Sequence, residues 1–115
     1  MSDIASTLKS KNCKLFYMSV NPINSVMITK AGKGARTEAQ VREFNSKIRS
    51  GLSLNYKYID TYSVLMKKGY GTNSSYSGTD AASDDGLHYT TKTFKRIYYY
   101  CITYLNTGSI DASIY

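Results

Sequence analysis

The chain contains one histidine, His88, in the run Asp84-Asp85-Gly86-Leu87-His88-Tyr89. An aspartate three residues before a histidine is within one turn of backbone, so the Asp85 carboxylate can accept the Nδ1 proton of the imidazole. That contact fixes the tautomer, leaves Nε2 ready to take a proton from a nucleophile, and stabilises the imidazolium that forms. Gly86 supplies the backbone freedom such a turn needs. A lone histidine ahead of a helix is also a common polar surface residue, and Asp84 and Asp85 can serve as turn or helix-start acids. Spacing alone leaves both readings open.

The elements that must position this pair follow from local patterning. Ser2 and Asp3 can cap a short helix with Ile4 and Leu8 on one side. Cys13 to Val20 is a near-continuous apolar run, the pattern of a strand covered on both faces, and Asn21-Pro22 stops it. Ile23 to Ala35 reads as a loop. Thr37 and Gln40 form a capping box for a helix bearing Val41, Phe44, Ile48 and Leu52, with Gly51 as its stop. Tyr56 to Asp60 reads as a second strand, and Thr61 as the cap of a brief helix with Tyr62, Leu65 and Met66 inside. Lys67 to Tyr89 is a polar loop, too long to be mere connection. Thr90 or Thr91 caps a last helix whose buried stripe is Phe94, Ile97, Tyr98, Cys101, Ile102 and Leu105. Residues 106–115 read as a frayed tail. The order helix–strand–helix–strand–helix–helix implies a parallel strand pair. Two strands cannot form a sheet buried on both faces, so the pattern implies an incomplete domain.

The totals narrow the function classes. Fifteen Lys and Arg against eight Asp and Glu give a net charge of +7 over 115 residues. The basic residues are scattered from Lys9 to Arg96, which is the distribution of a solvated surface rather than a nucleic-acid patch. No nucleic-acid partner is expected. Cys13 and Cys101 each sit in an apolar setting and read as small buried hydrophobes, and neither has a second Cys or His at ligand spacing. Leu15 to Val20 is far too short to cross a membrane. Met1 to Lys11 lacks the apolar centre of a signal peptide, so an export signal of any secreted or cell-surface parent would lie elsewhere.

Asp85-Gly86-Leu87-His88-Tyr89, followed by threonines and an aromatic helix, resembles the last sequence block of SGNH/GDSL hydrolases, bacterial esterases among them. Leu15-Phe16-Tyr17-Met18-Ser19-Val20-Asn21-Pro22, Phe44-Asn45 and Tyr58-Ile59-Asp60-Thr61 are similar to the later part of bacterial members. The resemblance covers roughly residues 3 to 105. It implies an α/β fold, part of a three-layer flavodoxin-like sandwich of parallel strands whose N-terminal half is missing. Residues 1–105 would then be the C-terminal part of a single domain. It further implies that Asp85 orients His88, which acts as general base for serine attack on an acyl ester and then as general acid toward the leaving alcohol. No cofactor or metal is implied. The substrate would be a small-molecule or carbohydrate ester, with acetyl groups on sugars one candidate.

The family's nucleophile lies in a Gly-Asp-Ser-type block, and its oxyanion donors include a Gly and the Asn of a Gly-x-Asn-Asp block. None of these occurs in the chain, and neither does a Gly-x-Ser-x-Gly elbow. Asn21 follows a strand but lacks the surroundings of the oxyanion Asn, and Ser19 belongs to the strand pattern as a packed residue. The isolated chain is therefore expected to be inactive, to need the missing half as its partner, and to self-associate through exposed apolar faces. Tyr70, Tyr76 and Tyr89 lie near the pair and could stack on sugar rings. The competing reading is a non-catalytic module that holds an anionic polymer through its charge and the run Lys95-Arg96-Ile97-Tyr98-Tyr99-Tyr100. Burial of Ile97 and Tyr98 in the helix stripe would leave it too few exposed aromatics.

Overall fold

The computed structural model describes residues 2–32, 34–51, 56–70 and 86–113. Of the residues singled out above, Leu52, Tyr76, Asp84 and Asp85 lie outside that set, as do the side chains of Ser2, Asp3, Ile4 and Tyr56. Seven elements follow in order: α1 (Ser2–Ser10), β1 (Leu15–Met18), α2 (Ser25–Lys30), α3 (Glu38–Ser50), β2 (Tyr56–Ile59), α4 (Thr61–Lys67) and α5 (Thr91–Thr107). The two strands pair in parallel, Leu15 opposite Tyr56 through Met18 opposite Ile59, so the chain is mixed α/β.

The sheet carries different chemistry on its two faces. On one, Phe16 meets Tyr104 of α5 edge-on at 6.2 Å and Met18 sulfur lies 3.6 Å from the Cys101 sulfur. On the other, Tyr17 stacks on Tyr58 at 6.3 Å, and the Arg49 guanidinium of α3 covers the Tyr58 ring at 5.1 Å. Burial raises the Cys101 thiol pKa.

Past Met18 the ladder is continued by side chains. Ser19 N–H still donates to the Ile59 carbonyl at 3.0 Å. Beyond it, the Asn45 amide of α3 takes the place of a strand: Val20 N–H donates to its Oδ1 at 2.9 Å and its Nδ2 donates to the Val20 carbonyl at 2.8 Å. The buried Ser19 hydroxyl accepts the Tyr62 N–H at 2.8 Å and lies 3.1 Å from the Thr61 hydroxyl, which donates to Asn21 Oδ1 at 2.6 Å. Every buried polar atom in this knot has a partner, as burial demands.

Several expectations are met. Thr37 and Gln40 form a reciprocal capping box, and Thr90 caps α5. Ser19 is packed, with 1% of its surface exposed. Others are corrected. Ile23 to Ala35 is not all loop: Asn24 Oδ1 accepts the Met27 N–H at 3.1 Å, capping α2, and Ile28 fills the core. Cys13 is exposed, because α1 closes with Asn12 at φ +59° and Cys13 N–H bonded to the Leu8 carbonyl, which keeps Cys13 in the turn. Thr61 is the first residue of α4, not its cap. Asp60 caps it by accepting the Ser63 N–H, and the Thr61 hydroxyl is used in the knot instead.

The buried face of α5 is also rotated from the expected one. Thr93, Ile97 and Tyr100 are buried, whereas Phe94, Tyr98 and Leu105 are exposed. Thr93 tolerates burial because its hydroxyl meets the Tyr70 phenol at 3.2 Å. Residues 106–113 are docked rather than frayed. Gly108 ends α5 in the left-handed conformation, Ile110 and Ala112 pack on the Leu65–Tyr70–Ile97–Tyr100 cluster, and Lys68 Nζ donates to the Ala112 carbonyl at 2.8 Å.

Replacing Asn45 tests the side-chain continuation of β1. Asn45→Ala strands the Val20 N–H and carbonyl and should cost about 2 kcal/mol, discounted because water reaches Val20. Urea unfolding should show a lower midpoint with an unchanged slope, and Asn45→Asp, which repels the Val20 carbonyl, should not recover it.

Candidate functional site around His88

The residues on either side of His88 fix the segment that carries it. Gly86 sits at φ +86° with its backbone pressed on α2: the Asn24 N–H donates to the Gly86 carbonyl at 2.9 Å. A Cβ at position 86 would lie 2.4 Å from the Asn24 carbonyl oxygen and 2.9 Å from both Ile28 N and Met27 Cβ. Glycine is therefore required twice here, for its positive φ and for the close approach.

From that anchor the chain alternates. Leu87 packs on the cluster of Ile23, Ile28 and Val41. Tyr89 packs on the second cluster, with Leu65, Tyr70, Ile97 and Tyr100. Its ring lies edge-on to Tyr70 and to Phe94, at 6.1 Å from each, and its hydroxyl donates to the Pro22 carbonyl. His88, between two inward neighbours, is turned outward and is exposed. Thr90 then starts α5, accepting the Thr93 N–H.

The bond from Tyr89 to Pro22 and the bond from Asn24 to Gly86 tie this segment to the stretch that leaves β1. An imidazole is thus displayed beside the carboxyl end of β1, where parallel α/β sheets generally place their ligands. Asp85, its expected partner, precedes the anchored segment and lies outside the described residues.

The other candidates are accounted for. Ser19 is engaged in the strand-end knot, and Asn21 Oδ1 accepts the Thr61 hydroxyl. Tyr70 is 2% exposed, so its ring is not available to a sugar, correcting the stacking expectation there. Its hydroxyl accepts from the Arg96 guanidinium at 2.9 Å. Tyr62 donates to Glu38 Oε1 at 3.2 Å, and its pKa is pushed up to about 12 by burial and the nearby Glu38 charge. Among the described residues no group of three or more His, Cys, Asp and Glu side chains could hold a metal ion, and no helix is long and apolar enough to cross a membrane.

The seat of Gly86 on α2 goes beyond the turn freedom its sequence position suggests. Asn24, a capping residue ahead of Val26 and Met27, signals the helix but not that contact. Comparison with known protein families, curated proteins and solved structures gives no match to this chain.

The Gly86 seat makes a direct prediction. Gly86→Ala combines a strained φ with a clash against backbone and should destabilise by about 2–4 kcal/mol. A thermal melt should show a clear fall, while Gly34→Ala, where a Cβ meets nothing within 4 Å, should show only the smaller cost of its φ of +114°.

Proposed function

We propose that the chain is the C-terminal part of an SGNH/GDSL-type serine hydrolase domain, cleaving acyl esters, in which Asp85 and His88 form the acid–base pair. The observation that carries this reading is His88 itself: an outward imidazole clamped between Leu87 and Tyr89 at the carboxyl end of a parallel strand. A general base must be held where a nucleophile can meet it, and two core-anchored neighbours hold it. Helices against both faces of the β1–β2 pair support a three-layer sandwich, of which other strands would complete the sheet. The nucleophile and oxyanion donors would come from that remaining part. In this reading His88 takes the serine proton during attack on the ester carbonyl and returns it to the leaving alcohol.

The test is hydrolysis of 4-nitrophenyl acetate by two proteins, the chain alone and the chain joined to the coding sequence preceding it. The chain alone should be no faster than its His88→Ala variant. The joined protein should hydrolyse the ester, with His88→Ala and Asp85→Asn each lowering kcat by roughly a thousandfold or more. Hydrolysis by the joined protein that survives His88→Ala would overturn the proposal.

One observation favours the second reading, binding of an anionic polymer. Tyr98 is 69% and Phe94 55% exposed, beside Lys95 on α5, so aromatic rings are available after all. Under that reading, binding to single-stranded nucleic acid should weaken steeply between 50 and 200 mM salt, as roughly expected for several phosphate contacts, and Tyr98→Ala should reduce it.

A further inference from the structure

Helix α2 has two faces with different duties. Asn24, Met27 and Ile28 receive Gly86. Ser25, Thr29 and Lys30 turn to a shallow, open hollow of about 490 Å³ that Arg36 and Thr37 also line. Arg36 also stands at the edge of a second hollow of about 420 Å³, whose walls are Val20, Val41 and Phe44 with Gln40.

Both hollows have mostly apolar linings, and they differ in the charge they carry. The second is an apolar slot: Phe44 is 48% and Val20 39% exposed, large hydrophobic surfaces left uncovered beside the buried Val41. The first adds two cationic side chains, Lys30 and Arg36, to a lining that includes Val26 and Ala35. Among the described residues neither Lys30 nor Arg36 makes an ion pair, in contrast to Arg42, Lys47 and Arg49, which all do. Among the described residues no acid lines either hollow. The nearest acid along the chain, Glu38, is tied to Arg42 at 3.2 Å and to the Tyr62 hydroxyl at 3.2 Å. The pair of hollows presents two unpaired cations at one end and an apolar trough at the other, with Arg36 common to both.

We propose that this surface binds a medium-chain carboxylate, with the anionic head on Arg36 and Lys30 and the alkyl chain along Val20, Val41 and Phe44. A planar guanidinium takes a carboxylate through two parallel hydrogen bonds. The apolar trough gives each further methylene a partner, so affinity rises with chain length. Neither lining includes His88, and the proposal does not depend on the hydrolase reading.

The experiment is a titration of the whole chain with hexanoate, octanoate and decanoate below their micellar concentrations, followed by backbone amide shifts. Saturable binding should strengthen roughly two- to fourfold per methylene. Shifts should centre on residues 20, 29–30 and 36–44. Arg36→Gln should weaken decanoate about tenfold, the loss of one charged pair. Phe44→Ser should weaken decanoate more than hexanoate, and both positions are exposed enough for the variants to fold. His88→Ala should leave binding unchanged. Absence of saturation, equal affinity of the wild type and Arg36→Gln, or equal binding of decyltrimethylammonium would each overturn the proposal.

Discussion

A four-residue strand paired with another four-residue strand has too few backbone hydrogen bonds to hold its own end in place. In this chain the amide of Asn45 supplies what the ladder lacks, meeting both the N–H and the carbonyl of Val20. Everything that follows in the chain starts from that point. Ser19 and Asn21 on either side are bonded to the first turn of α4, so α3, β1 and α4 meet at one buried polar knot. Because each group there would be costly to bury alone, the members of the knot support one another. Pro22, Ile23 and Asn24 leave it along a fixed path, and the His88 segment is built on that path.

The two hydrophobic clusters divide the labour around the site. Ile23, Ile28 and Val41 are buried under Leu87, and Leu65, Tyr70, Ile97 and Tyr100 under Tyr89. One cluster belongs to the α2–α3 side and the other to the α4–α5 side. The histidine lies where the chain steps from one to the other. Its exposure is therefore a product of packing, since alternation sends a residue outward when both its neighbours are drawn inward.

Legibility in the sequence tracked how local the physics was. The Thr37–Gln40 box, the Thr90 cap and the two apolar strands depend on residues within a few positions, and each could be read directly. The face of α5 could not. Hydrophobic weight favours Phe94, Tyr98 and Leu105, yet Tyr100 is buried in the cluster with Leu65 and Ile97, and Thr93 beside it finds a hydroxyl partner in Tyr70, from a distant part of the chain. Cys13 was misplaced because the turn closing α1 reaches one residue further than composition suggests. Helix α2 has six residues and one fully buried side chain, too little periodicity to stand out from a loop. At the site, the Asp85–His88 spacing and the Gly86 turn were visible. The contact of Gly86 with α2 was not, since nothing local announces which backbone will press against a glycine.

The clamp on residues 86–90 also has an entropic side. Fixing a residue's backbone costs on the order of 1–2 kcal/mol, and a side chain on a mobile loop must meet that cost each time it engages a ligand. Here Gly86, Leu87, Tyr89 and Thr90 are already committed to the core, to Pro22 or to the start of α5. The ordering of this stretch belongs to folding, and whatever meets the imidazole finds it preorganised. The same arrangement ties the reach of His88 to the stability of both clusters, so loosening either core would blur its position well before the chain unfolds.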